Sequence, residues 1–428
     1  MQGHSITYLY IYIIAWAVTL FVAFKRSKTI SIGKFLVFEY LFCSICSYLT
    51  FTDPYCPESY KPLKLFPFIY LYVFTLITTL PALRYDRYEI NRIETPSQNK
   101  INLIIWPFII ASLLSIPQMI SSLQTNLVAI LMGYGNDLYM DSYANSSSEG
   151  TSIENLPAVI ANLLYSPAAV TAFYYLSLEQ SKKARRITLL LFLCISIRMI
   201  SASLTGQRGG VIRELFVLGA LYMIFYRFYS SKLRRRFNTI IIVVVALLAV
   251  PFIAITISRF EMRKGGSISS LLDYSGQSSL YFNNYALDDN GIRYGDRVMP
   301  GVKLLLGYDN VPMNWVQRRA KYPNLYLGDE YFSSYIGDFA IDFGPFFGGV
   351  LLIIFTMMFM SSLRIRGGVI RYHQLLILGV IAAIIPEGYF KLFPFSEVIG
   401  NISLLVRIVI IFWFKNSLPQ PSCNKQIV

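Results

Sequence analysis

Apolar residues in this chain come in long uninterrupted blocks, not at the spacing of an amphipathic surface helix. Several blocks approach or exceed the ~18 residues expected of a membrane-spanning helix. Ile104–Ile116 with its apolar flanks and Ile240–Ile257 are two of them. Lipid offers a backbone no hydrogen-bond partners, and a helix satisfies its own. The blocks predict about eleven spans, at 5–24, 32–51, 65–83, 101–120, 157–177, 187–204, 211–227, 238–257, 336–360, 374–391 and 397–414. The expected fold is all-α, a polytopic membrane helix bundle.

The polar stretches between the blocks alternate in character. One set is basic: Lys25, Arg26 and Lys28; Arg84, Arg87 and Arg92; Lys182, Lys183, Arg185 and Arg186; Lys232, Arg234, Arg235 and Arg236; Arg364, Arg366 and Arg371. The other set lacks excess positive charge, and Ser121–Asn155 has no Lys or Arg at all. Under the positive-inside rule the basic loops and the C-terminus are cytoplasmic and the N-terminus is outside. Met1–Ile6 lacks the basic start of a cleavable signal, so the first block is expected to remain as a membrane helix. The chain thus divides into 1–257 (eight spans and a shorter outside loop, 121–156), a large outside loop at 258–335, and 336–428 (three spans and a tail).

Composition sharpens this picture. The chain is 55% hydrophobic and 14% charged, against about 25% charged in soluble domains. Its net charge of +14 sits in short clusters between spans, which argues against a nucleic-acid partner. The five cysteines imply no disulfide framework. Cys43 and Cys46 lie inside an apolar block, where small-residue helix packing fits better than redox or zinc chemistry. His4 and His373 are too few and too far apart to suggest a metal site, and Asp342-Phe343-Gly344 stands at a span without kinase context. No nucleotide loop, aspartate-rich metal motif or Ser-His-Asp constellation is present, which argues against ATP-driven transport and against a transferase using sugar nucleotides from the cytoplasm.

Candidate chemistry gathers in three places. Arg198 lies near the middle of the span at 187–204, where an arginine needs a partner or a wet cavity. If that helix continues, Arg198, Ser201, Thr205 and Arg208 share one face. Arg208 with Gly209, Gly210 and the start of the next span suits an anion, phosphate above all; capping a turn at the headgroups is the plainer alternative. In the large loop, Arg318 and Arg319 suit phosphate or sugar carboxylates, and Asp329 or Glu330 suits a general base. A solvated charged loop is the alternative there. Glu387, at the outer end of its span, is a further candidate carboxylate. The loop's tyrosines, Tyr322 and Tyr331 among them, fit either a sugar-facing surface or an interfacial aromatic belt.

The plan resembles the bacterial O-antigen polymerases of the Wzy type. Leu204-Thr-Gly-Gln-Arg-Gly-Gly210 is similar to that family's glycine- and arginine-bearing stretch after a mid-chain span. Tyr331-Phe-Ser-Ser-Tyr-Ile-Gly-Asp-Phe-Ala-Ile-Asp-Phe-Gly-Pro-Phe-Phe-Gly-Gly349 resembles its exit from the large loop. The resemblance implies a GT-C-like membrane glycosyltransferase in the bacterial inner membrane. Such an enzyme transfers a growing glycan from undecaprenyl diphosphate onto a lipid-linked repeat unit at the periplasmic face, without metal or nucleotide. A chain-length regulator protein is a possible partner. On that footing Arg208 holds the diphosphate with help from Arg198, Arg318 or Arg319, while Asp329, Glu330 or Glu387 activates the acceptor and Tyr322 and Tyr331 face the sugar. The large loop lacks a histidine, which favours polymerase over O-antigen ligase. The rival class is an oligosaccharide flippase, which would carry cations deep in several spans; from sequence that number reads as low.

Overall fold

The computed structural model describes residues 2–27, 30–56, 59–117, 119–120, 156–178, 182–204, 208–239, 266–329, 331–392 and 395–416. Most of the predicted span at 238–257 and the outside segment 121–155 lie outside the described residues, as do Thr205 and Glu330.

Ten of the eleven predicted intervals coincide with helix. They are α1 (Gln2–Arg26), α2 (Ile32–Thr52), α3 (Leu65–Arg87), α4 (Gln98–Leu114), α5 (Leu156–Ser177), α6 (Lys182–Leu204) and α7 (Arg208–Phe225). After three helices of the large loop, α8 (Gly266–Tyr281), α9 (Pro300–Leu305) and α10 (Trp315–Lys321), come α11 (Ser334–Ser362), α12 (Tyr372–Gly388) and α13 (Glu397–Lys415). Among the described residues, α1, α2, α3, α5, α11 and α13 are long and apolar enough to cross a membrane; α4 and α12 are shorter apolar helices. The chain is therefore an all-α, multi-pass membrane protein.

Helix α12 is the centre of the bundle. It is buried almost all round, from Tyr372 to Gly388. It packs against α2, α3, α5, α7, α11 and α13. Outer helices show the reverse pattern and turn large apolar side chains outward, such as Phe21, Leu189, Phe346 and Val409. Such faces suit lipid. At one end of the bundle a short parallel pairing of β1 (Arg92–Ile93) with β2 (Val369–Ile370) ties two loops together. Residues 282–333 cover the opposite end, called the upper end below.

The large loop is not a free soluble piece. Its first helix, α8, lies along α2 through small residues. A Cβ on Gly276 would stand 2.6 Å from the Cys46 carbonyl oxygen. Ser47 donates to the Gly276 carbonyl at 2.8 Å, and Ser279 donates to Ser47 at 2.7 Å. Cys43 and Cys46 are free and buried at this contact. Helix α11 kinks at Gly344, whose φ of +78° favours glycine, just before Pro345.

Candidate functional site

Two groups of clustered charge stand out, the first of them at the upper end. The first joins the large loop to α11 and α13. Asp338 and Asp342 are four residues apart in the first turns of α11 and share a face; Arg293 and Arg297, also four apart, are brought together by the turn at Tyr294 and Gly295. Arg293 Nε reaches Asp342 at 2.7 Å and its Nη1 reaches Asp329 at 2.8 Å. Arg297 meets Asp338 at 3.1 Å. Arg318 bridges Asp329 at 2.7 Å and Glu397 at 2.6 Å. Asp342 also accepts the Arg297 and Val298 backbone N–H groups, and Asp338 accepts that of Leu392. Lys391 donates to the Asp329 carbonyl. Four cations thus face four anions, and Asp338 and Asp342 are fully buried. Glu397 is held at a φ of +63°, unusual for a side chain with a Cβ, by its N–H bond to the Arg297 carbonyl and its ion pair to Arg318.

This arrangement places the loop candidates. Arg318 and Asp329 do come together, but as neighbours inside the ionic network. Burial alone would raise the Asp329 carboxyl; Arg297, Arg293, Arg318 and Lys391 outweigh it and hold that carboxyl well below the usual carboxylate range. A carboxylate held so firmly ionised is a weak proton acceptor. Arg319 is exposed and donates to the Leu325 carbonyl at 2.9 Å. Tyr322 donates to Asp296 at 2.7 Å, and Asp296 is also paired to Lys303 and Lys321. Tyr331 packs its ring 4.6 Å from that of Tyr281. The tyrosines therefore divide: Tyr281 and Tyr335 are core, whereas Tyr294, Tyr308 and Tyr326 are exposed.

The second group lies within the helix bundle. Arg198 of α6 pairs with Glu214 of α7 at 3.0 Å and donates to Asn162 of α5 at 2.5 Å. Its guanidinium stands 4.1 Å over the Tyr165 ring, and the Tyr165 hydroxyl donates to Glu214. Glu387 of α12 lies in the electrostatic reach of Arg213, Glu214, Arg198 and Arg407. Arg407 of α13 is the unusual member. It is 6% exposed and stacks 4.6 Å from the Phe395 ring. Its Nε and Nη1 have no hydrogen-bond partner among the described residues. Buried donors left unfilled are costly, and such a group invites an anion or water.

The structure thus brings Arg198 and Glu387 into one group. Arg208 is the first residue of α7, on which Arg213 and Glu214 also lie; its side chain lies outside the description, as do those of Ser201 and Thr205. Sequence reasoning missed Arg213, Glu214 and Arg407, although charge at membrane depth was the available signal. Arg198, Arg213 and Arg407, from three helices, all lie in the electrostatic reach of Glu387. Among the described residues no three His, Cys, Asp or Glu side chains are placed to hold a metal ion. No protein-family model, curated protein or solved structure matches the chain.

Proposed function

We propose that this protein is an oligosaccharide repeat-unit polymerase of the O-antigen type, acting on undecaprenyl-diphosphate-linked glycans at the outer face of a bacterial inner membrane. The observation that carries the reading is Arg407: a buried arginine with unfilled donors, grouped with Arg198 and Arg213. In the proposed reaction the acceptor hydroxyl oxygen forms a bond to the anomeric carbon of the donor glycan. The bond from that carbon to the diphosphate oxygen breaks, and the diphosphate leaves with the electron pair. The arginines neutralise the charge that builds on it, with Arg208 at the start of α7 as a further donor. Glu387 takes the hydroxyl proton. It is preferred to Asp329, which the ionic network holds ionised.

A flippase is the second reading, favoured by the same three arginines spread over α6, α7 and α13. One genetic test separates the two. In cells carrying Arg407→Met, loss of polymerisation leaves single repeat units on the surface lipid, which gel electrophoresis resolves. Loss of flipping leaves none. Normal long chains would remove Arg407 from either role.

A further inference from the structure

The loop segment after Val298 carries apolar side chains that neither the ionic network nor the arginine group uses. Leu305 is 74% exposed and Leu306 71%, and Leu304, Tyr308, Met313 and Val316 are exposed beside them. Exposed apolar surface of this kind marks an interaction face. Its place against α13 identifies the partner. At about 100° per residue, α13 has two sides. Ser403, Arg407, Ile410 and Phe414 face the bundle and are buried. Ile402, Leu405, Val409 and Phe412 face away and are exposed. By the same spacing Val398 and Asn401 fall on that outward side, although Asn401 is buried. Gly301 at the start of α9 sits directly on them: an added Cβ would stand 2.9 Å from the Asn401 Cβ and 3.4 Å from the Val398 carbonyl oxygen. The Gly301 N–H donates to Asn401 at 2.8 Å, and Asn401 donates in turn to the Val298 carbonyl at 2.8 Å. Helix α9 therefore crosses the first turn of α13 on its outward face, directly above the apolar stripe of an apolar helix long enough to span a membrane. The one cation in this turn, Lys303, is drawn back to Asp296 and the Tyr294 carbonyl.

We propose that residues 302–308, with Met313 and Val316, rest in the headgroup–acyl boundary of the bilayer as an in-plane anchor. The patch continues the lipid-facing surface of α13. A short apolar element with its charge withdrawn and a tyrosine at its end suits that depth. The anchor holds the floor of the large loop at the membrane surface.

Tryptophan reporters test this in the full-length protein. Leu305→Trp and Leu306→Trp are each reconstituted into vesicles of phosphatidylethanolamine and phosphatidylglycerol, with and without brominated acyl chains. Wild type in the same vesicles gives the contribution of Trp16, Trp106, Trp315 and Trp413. The added emission should be quenched strongly by brominated lipid and weakly by aqueous acrylamide. Quenching mainly by acrylamide would overturn the proposal, because the segment would then stand in water. Protection from both quenchers would also overturn it, because protein would then cover the face. Two reporter positions keep the test open if one variant fails to fold.

Discussion

The ionic network at the upper end and the arginine group within the helix bundle are both built from clustered charge, yet they are completed differently. In the network each arginine and carboxylate has a counter-charge within 4 Å, so the hydrogen-bond gaps at Arg293 Nη2, Arg297 Nε and Asp338 Oδ1 lie on ion-paired side chains, and backbone N–H groups add to Asp338 and Asp342. Its four cations and four anions balance. Among the described residues the arginine group sets three cations against two anions, and Arg407 ends with its Nε and Nη1 unfilled. At ~1.5 Å per residue, Arg407 lies about 15 Å along α13 from Glu397, which belongs to the network. One helix thus carries a closed cluster at its end and an open one in its middle. A closed cluster fixes structure; an open one has capacity left for a ligand.

That contrast predicts opposite responses to mutation. Asp342→Ala leaves Arg293 without its closest partner and two backbone N–H groups unfilled. Breaking a buried pair in this way costs about 3–5 kcal/mol. Thermal unfolding in detergent should show a large loss, or no folded protein at all. Arg407→Met removes a buried charge whose Nε and Nη1 make no hydrogen bond among the described residues and fills the same space with an apolar chain. The same measurement should show no loss or a gain, within the ~1–4 kcal/mol range seen for such replacements. Equal destabilisation by both variants would erase the distinction between the clusters.

The sequence makes one half of this picture much clearer than the other. Spans such as Ile32–Thr52 and Ser334–Ser362 are legible because lipid demands long apolar runs, and run length survives without tertiary information. Helix α8 is not legible in the same way. Its contact with α2 is made by Gly276 and Ser279, residues that allow close approach but give no hydrophobic signal. Arg198 stands out because it interrupts an apolar run. Arg407 interrupts one too, yet its convergence with Arg198 and Glu387 is a property of helix packing, which no local pattern contains. The network had a quieter signal: Arg293 with Arg297, and Asp338 with Asp342, are complementary pairs at four-residue spacing. Asp342 and Gly344 lie in the triplet set aside as a kinase motif; here the aspartate pins the loop and the glycine turns the helix.

A smaller effect distinguishes groups within the loop by pH. Burial raises the Asp289 carboxyl from its ordinary 3.8 to about 6, partly offset by the Leu327 N–H and nearby arginines. The native state then holds this proton more tightly than the unfolded state, so the Asp289 contribution to stability falls as pH rises from about 4 to about 6. Asp329 acts in the opposite sense: its contribution is present above the ordinary carboxylate range and is lost as pH falls below it. Asp289→Asn should flatten the decline between pH 4 and 6 in thermal unfolding curves and leave the loss at lower pH in place. An unchanged profile would show that Asp289 is not what titrates.

The most direct measurement is the binding of undecaprenyl diphosphate to purified wild type and to Arg407→Gln by native mass spectrometry, with undecaprenol as the uncharged control. Hydrogen bonds to charged groups contribute about 1.5–3 kcal/mol each, so the variant should bind the diphosphate lipid roughly 10- to 100-fold more weakly. Its affinity for undecaprenol should not change. Equal binding of the diphosphate lipid by both proteins would contradict the assignment of the Arg198, Arg213 and Arg407 group as the site that holds it.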